Sequence, residues 1–116
     1  MNQSGARAEA LCVEHLRRAG LRIVARNWRC RLGEIDIVAE EGSVTVFAEV
    51  RLRAAGRFGG AAESITLAKR ARLVAAAQHY LAGRPERDCR FDVLLLDAAG
   101  PAHAAHIEWI RNAFDA

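Results

Sequence analysis

The chain has 116 residues and a net charge of +3, with 52% hydrophobic and 27% charged residues. This composition predicts one globular domain over residues 1–116 and excludes a disordered chain. No apolar run approaches the roughly 20 residues of a membrane span, and no signal-like stretch follows Met1. The three cysteines lack a CxxC pair. We therefore expect a cytoplasmic protein with reduced thiols and no membrane partner.

The N-terminal segment predicts an amphipathic helix. Ser4 caps a helix that runs to about Ala19, and Gly20 ends it. Glu9 falls at the margin of the apolar face, whereas Glu14 lies roughly opposite and should be solvated. That apolar face is formed by residues at helical spacing, namely Ala8, Leu11, Cys12, Leu16 and Ala19.

Three strands are predicted next, over residues 21–28, 35–39 and 44–50. The second and third form a hairpin whose turn contains Gly42, as a turn with positive φ requires. A two-residue turn at 41–42 would pair Ala39 with Val44 and set Glu49 opposite Glu34 and diagonal to Asp36. The apolar residues of the hairpin should then share one face, because a one-residue slip would bury the polar set instead; they are Ile35, Ile37, Ala39, Val44, Val46, Ala48 and Val50.

The opposite face of this hairpin gathers carboxylates. Glu34, Asp36 and Glu49 come within reach of a shared ion, and like charges at this distance repel one another unless they are neutralised. Arg51, on the same face, can supply part of that neutralisation. Hard oxygen ligands of this kind suit Mg²⁺ or Mn²⁺. The alternative is an exposed sheet face held by salt bridges.

The rest of the chain predicts a Gly-rich loop, a second helix and two more strands. The loop, over 54–63, lacks the GK[ST] ending of a P-loop. Ser64 caps a helix to about Ala82, and Cys89–Asp97 and 107–110 read as strands. The helix should bury Ile65, Ala68, Ala75, Ala76 and Leu81, and its early turns carry Lys69, Arg70 and Arg72. The predicted fold is an α/β mixed sheet in the order α-β-β-β-α-β-β.

Charge along the chain is segregated. Residues 1–31 hold seven arginines and two glutamates, residues 32–50 hold five acids and no base, and residues 51–72 hold six bases and one glutamate. One interpretation is ordinary solvated surface. The other is a cation-binding carboxylate cluster between arginines that bind a polyanion. The basic candidates for nucleic-acid contact are Arg26, Arg29, Arg53, Arg57, Lys69 and Arg70.

The motif Gly-Glu-Ile-Asp-Ile-Val at 33–38, followed by Ala-Glu-Val-Arg at 48–51, resembles the YraN-like family of predicted endonucleases. These are relatives of the archaeal Holliday-junction resolvases in the restriction-endonuclease-like superfamily. The resemblance covers nearly the whole chain. Its further landmarks are Gly5, the helix that carries Glu9, Arg26–Arg29, Phe58-Gly59, Ser64-Ile65, Lys69, Phe91–Val93 and Asn112–Phe114.

The resemblance implies a single restriction-endonuclease-like domain that hydrolyses phosphodiesters in DNA, with branched or recombination DNA as a candidate substrate. Asp36 and Glu49 would bind Mg²⁺ or Mn²⁺ with the carbonyl of Val50, and Glu9 would complete the site directly or through water. Glu34 is a supporting candidate. The metal would lower the pKa of a bound water. Relatives that cut four-way junctions are two-fold dimers, which suggests a homodimer by analogy.

The sequence departs from the nuclease motif at Arg51, where the motif has lysine. Arginine cannot act as a base, although it can bind a phosphate. Either the metal alone activates water, or Lys69, the sole lysine of the chain, reaches in from the second helix, or catalysis is lost and DNA binding is kept. The alternative functions are therefore a catalytically degenerate nucleic-acid-binding protein and an interaction protein whose carboxylates are only surface.

Overall fold

A computed structural model describes residues 3–53, 65–97 and 106–115, which form two helices and five strands. In chain order these are α1 (Gln3–Arg18), β1 (Arg22–Cys30), β2 (Gly33–Glu41), β3 (Val44–Arg53), α2 (Leu67–Leu81), β4 (Asp88–Asp97) and β5 (Ile107–Phe114). The order predicted from the sequence is confirmed. The predicted loop over 54–63 and the predicted cap at Ser64 lie outside the described residues.

The strands form one mixed sheet in the order β1-β2-β3-β4-β5. β1, β2 and β3 are antiparallel neighbours, β3 and β4 are parallel, and β4 and β5 are antiparallel. Parallel neighbours need a crossover connection, and α2 lies in that connection between β3 and β4. β1 and β5 are the two edge strands. Neither described helix is long and apolar enough to cross a membrane.

The two helices bury different faces of the sheet. On the α1 side the core contains Cys12, Val13, Leu16, Leu21, Ile37, Ala39, Val46, Ala48 and Leu94. On the α2 side it contains Ile35, Val38, Phe47, Leu73, Ala76, Ala77, Tyr80 and Phe91. β4 runs between these layers, and its residues from Phe91 to Leu96 are all buried, as expected for a strand covered on both faces.

Local hydrogen bonds define the helix ends. Gly20 adopts a φ of 96° after α1, where the N–H of Leu21 donates to the Leu16 carbonyl at 3.0 Å, so the predicted glycine stop is confirmed. α2 begins after Thr66, whose Oγ1 accepts a hydrogen bond from the N–H of Lys69 at 3.1 Å. The prediction that Ala68 belongs to the buried face was wrong, because Ala68 lies on the exposed side of the first turn.

The hairpin register differs from the prediction by two residues. Glu41 pairs with Val44 and Ile37 pairs with Ala48, so the turn is Gly42–Ser43. Since the shift is an even number, the change of register does not by itself move a side chain to the other face of the sheet. The partners change, however. Continuing the register by one pair sets Glu49 across from Asp36, and the predicted pairing of Glu49 with Glu34 was wrong.

Ile35 also departs from the prediction, because it packs on the α2 side while Ile37 and Ala39 pack on the α1 side. Asn27 explains the break in alternation. It has a φ of 52° and lies between the Arg26–Ile37 and Trp28–Ile35 pairs of β1 and β2. A left-handed residue interrupts the pleat, and the strand ends beyond it turn their side chains to the other face.

Candidate functional site

Two carboxylates meet at the centre of the candidate site. Asp36 comes from β2 and Glu49 from the adjacent β3, so the antiparallel pairing of the hairpin brings them together. The N–H of Val50 donates to Asp36 Oδ2 at 2.9 Å and fixes that carboxyl group. The pair opens onto a cavity of about 190 Å³, whose other lining residues are Gly33, Glu34, Lys69, Arg72 and Leu73.

The environment of Asp36 opposes its ionisation. Burial raises the pKa of Asp36 to about 7, with further contributions from the charge of Glu49 and a hydrogen bond shared with that carboxyl group. The N–H of Val50 acts in the opposite direction. Two carboxyl groups this close hold a proton between them or require a nearby cation. Asp36 and Glu49 are therefore neighbouring acids whose full ionisation depends on a positive charge close by.

Two basic side chains reach Glu49. Lys69 Nζ of α2 lies 2.9 Å from Glu49 Oε1, and Arg51 Nη1 of β3 lies 3.8 Å from the same oxygen. Only the lysine is within hydrogen-bonding distance. Lys69, the sole lysine of the chain, is therefore the amine that the fold brings to the carboxyl pair.

Gly33 sets the distance between β2 and α2. A Cβ atom on Gly33 would lie 3.1 Å from the carbonyl oxygen of Arg72 and 3.6 Å from the Cβ of Ala76. The first contact is tighter than real Cβ atoms normally make. The absence of a side chain at position 33 therefore lets the first turns of α2 lie close enough for Lys69 and Arg72 to line the cavity.

Glu9 is buried more deeply than its predicted position at the margin of the helix face, being 1% exposed. Its Oε1 accepts hydrogen bonds from Arg26 Nε at 2.9 Å and from Asn27 Nδ2 at 3.1 Å. Its Oε2 is buried with no hydrogen-bond partner among the described residues. Both partners come from β1, and Glu9 is not among the residues that line the cavity.

Cys12, one turn further along α1, lies close enough to both Glu9 and Asp36 to be affected by their charges. Burial raises the pKa of the Cys12 thiol to about 12, and the charges of Asp36 and Glu9 add to that rise. The thiol therefore stays protonated and acts as an apolar core group. Within the described residues, no three His, Cys, Asp or Glu side chains are grouped closely enough to hold a metal ion by themselves.

Most of the predicted basic contacts are engaged elsewhere. Arg26 binds Glu9, Arg29 Nε lies 3.5 Å from Glu34 Oε1, and Arg53 binds Asp97 and Glu108 at 3.1 and 3.0 Å. Arg70 lies over the ring of Phe114, 5.4 Å from its centroid. Arg57 falls outside the described residues. Four of the predicted contacts, Arg26, Arg29, Arg53 and Arg70, are thus paired within the protein. Among the described members of the predicted set, Lys69 is the one that lines the cavity.

Arg72 was missed as a candidate contact, although it lines the cavity. The signal was present in the spacing of the sequence. Residues three apart share a helix face, so Lys69 and Arg72 point the same way, while Arg70 is rotated by about 100°.

Another buried carboxylate, Asp92 of β4, anchors the edge strand β5 and does not line the cavity. It is fully buried and accepts hydrogen bonds from Arg90 Nε at 3.0 Å, Trp109 Nε1 at 2.9 Å and the N–H of Asn112 at 2.9 Å. Asn112 has a φ of 51°, next to the irregular register between β4 and β5. Asp92 therefore stabilises the attachment of the edge strand β5 to β4.

Comparison with known proteins shows what the chain is related to. The profile of the uncharacterised protein family UPF0102 matches residues 8–96, a range that includes every cavity residue. UPF0102 proteins of Dechloromonas aromatica and Nitrosococcus oceani are 51% and 50% identical, over 97% and 95% of this chain and 88% and 90% of their own lengths. That of Methylobacillus flagellatus is 49% identical over the full length of both chains. The chain belongs to the UPF0102 family, which confirms the YraN-like resemblance of its motifs.

Proposed function

We propose that this protein is a metal-dependent endonuclease that hydrolyses phosphodiester bonds in DNA. The observation that carries the proposal is the Asp36–Glu49 pair, two adjoining carboxyl groups that line one cavity, where burial and the charge of Glu49 raise the pKa of Asp36. Perturbed carboxyl groups in a cleft are typical of functional sites. The lysine on Glu49 and the guanidinium of Arg72 give the same cavity a cationic wall.

The donor set fits Mg²⁺ or Mn²⁺. Such ions take one or two carboxylates and complete their shell with waters and substrate phosphate, which is the number of carboxylates that Asp36 and Glu49 provide. The unpartnered Oε2 of buried Glu9 suits a water-mediated role. Once bound, the ion would supply a water of lowered pKa and neutralise charge on the phosphate.

The two basic residues near Glu49 have different roles in the proposed reaction. Lys69, at 2.9 Å from Glu49 Oε1, holds that carboxylate and is placed to orient the attacking water. Arg51 remains charged at all accessible pH values and cannot take a proton from water. Its role is electrostatic, as a stabiliser of the extra negative charge that develops on the phosphate.

The size of the cavity restricts what enters. A volume of about 190 Å³ corresponds to about six waters at roughly 30 Å³ each. This is room for a cation and a few ligand oxygens, from water or from one phosphate group. A strand that is unpaired or bent away from its partner presents a phosphate most easily, so we propose branched or recombination DNA as the preferred substrate.

Cleavage assays test the proposal directly. The protein is incubated with Mg²⁺ or Mn²⁺ and labelled linear, forked and four-way DNA, and we expect cleavage that Asp36→Asn and Glu49→Gln abolish. Glu14→Gln is the matched control, because Glu14 is an exposed carboxylate on α1. Failure of the wild type to cut any of these DNAs, or equal cutting by Asp36→Asn, would refute the proposal.

The second candidate is a nucleic-acid-binding protein that has lost catalysis. The arginine at position 51, where the nuclease motif has lysine, favours it. It predicts DNA binding that weakens with salt and no hydrolysis by the wild type. The variant Arg51→Lys separates the two functions, because restored cleavage would show that the substitution alone disabled an otherwise intact site.

A further inference from the structure

We propose that Arg72 is the residue that binds the substrate phosphate in this cavity. The inference rests on the proposed function and names the contact by which the site would recognise the DNA backbone. Arg72 belongs to α2, whereas Asp36 and Glu49 belong to β2 and β3.

The other basic groups near the carboxylates already have partners. Lys69 lies 2.9 Å from Glu49, and Arg29 lies 3.5 Å from Glu34. Arg51 is 3.8 Å from Glu49. Within residues 3–53, 65–97 and 106–115, Arg72 makes no side-chain hydrogen bond or ion pair, and its exposed side chain borders the cavity. Its donors are therefore available to a ligand.

The chemistry of the cavity selects the class of that ligand. A phosphodiester entering beside Glu34, Asp36 and Glu49 meets repulsion that a bound cation offsets only in part. A guanidinium presents parallel N–H donors that match two phosphate oxygens, and such bidentate pairs are stronger than neutral hydrogen bonds. A phosphate that enters the cavity would therefore find its two parallel donors in the guanidinium of Arg72.

The position of Arg72 is fixed by the packing around it. Its carbonyl oxygen lies against Gly33, and the next residue, Leu73, is buried at 3% exposure in the core below α2. The backbone is thus held in place while the side chain is solvated. Arg70, two residues earlier, is held over Phe114 and has the same charge in the same turn, which makes it a matched control.

Binding measurements in an Asp36→Asn background test the inference independently of cleavage. The probe is a fluorescein-labelled forked DNA followed by anisotropy over a range of salt concentrations. Adding Arg72→Gln should weaken binding about tenfold, as expected for loss of a charge-assisted contact, and should reduce the salt slope by about 0.7–0.9. Arg70→Gln should change the affinity less than about threefold.

Arg72→Lys keeps the charge without the fork, so it should keep the salt slope and lose part of the affinity. Thermal melting shows whether Arg72→Gln is folded. If it is not, Arg72→Lys is used to test the inference in its place. Equal weakening by Arg72→Gln and Arg70→Gln, or no DNA binding by the parent, would overturn the inference. Binding that depends on Arg72 in a wild-type protein that never cuts DNA would support the inference and refute the nuclease function.

Discussion

Asp36 should make the metal-free protein less stable at neutral pH, and removing its charge should reverse the effect. Asp36→Asn keeps an oxygen that accepts the hydrogen bond from the N–H of Val50 and gives Glu49 a neutral donor as its neighbour. The variant therefore removes the repulsion within the pair without opening a space. Its effect on unfolding free energy is a direct reading of the electrostatics of the site.

The magnitude follows from the pKa of Asp36, which rises from 3.8 to about 7 on folding. The protonated form is favoured in the folded state, so the stabilising contribution of the carboxyl group is present below about pH 4 and is lost as pH rises through 7. At 1.36 kcal/mol per pKa unit, the wild type loses about 4 kcal/mol by pH 8. By about pH 5 the loss is only about 1–2 kcal/mol.

Urea denaturation in the presence of a chelator measures this effect. We expect Asp36→Asn to exceed the wild type in unfolding free energy by about 2–4 kcal/mol at pH 8, and by about half that or less at pH 5. Exposed Glu14→Gln should match the wild type at both. An Asp36→Asn variant that is no more stable than wild type at pH 8, or whose advantage is the same at both pH values, would refute the electrostatic account of the pair.

Other changes test separate parts of the site. Adding Mn²⁺ at pH 8 should raise the melting temperature of the wild type but not of Asp36→Asn, because only the paired carboxylates gain a partner; equal shifts would argue against a metal at this pair. Lys69→Gln should slow single-turnover cleavage at least about 100-fold, and Arg51→Gln should slow it less. A larger effect of Arg51→Gln would show that Arg51, rather than Lys69, is the more important basic residue for cleavage. Gly33→Ala should lower cleavage more than stability, since it displaces α2 by a few tenths of an ångström; unchanged cleavage would contradict the tight fit. Asp92→Ala should lower the unfolding free energy by about 3 kcal/mol or more, as urea denaturation would show, because it leaves buried donors from Arg90 and Trp109 without an acceptor.

The strands could be predicted from sequence, but their exact pairing could not. Alternation with a period of two determines which face each residue occupies. It does not distinguish registers that differ by two residues, since both bury the same side chains. The observed turn at Gly42–Ser43 shifts every cross-strand partner in the hairpin by two residues and gives Glu49 Asp36 as its neighbour in place of Glu34. That change is what forms the buried pair.

The ion-pair and hydrogen-bond partners of the charged residues could not be predicted from the sequence either. Arg53 is occupied by Asp97 and Glu108, which become its neighbours only because β4 pairs with both β3 and β5. Glu9 is buried because β1 brings Arg26 and Asn27 over it. Both contacts depend on tertiary pairing between distant segments, whereas helical spacing alone could have identified Arg72.

The two edge strands restrict how copies of this chain can associate. On β1, the side chains of Arg22, Arg26 and Arg29 are 74%, 44% and 68% exposed, and on β5 Glu108 and Arg111 are about half exposed. Charged edges discourage the addition of a further strand. A two-fold dimer that joined β1 to β1 would set like charges beside one another. A homodimer joined through β1 is therefore disfavoured. A dimer formed through other surfaces would keep the five-stranded sheet of each copy separate and, if the protein binds DNA as proposed, would present two cavities to it.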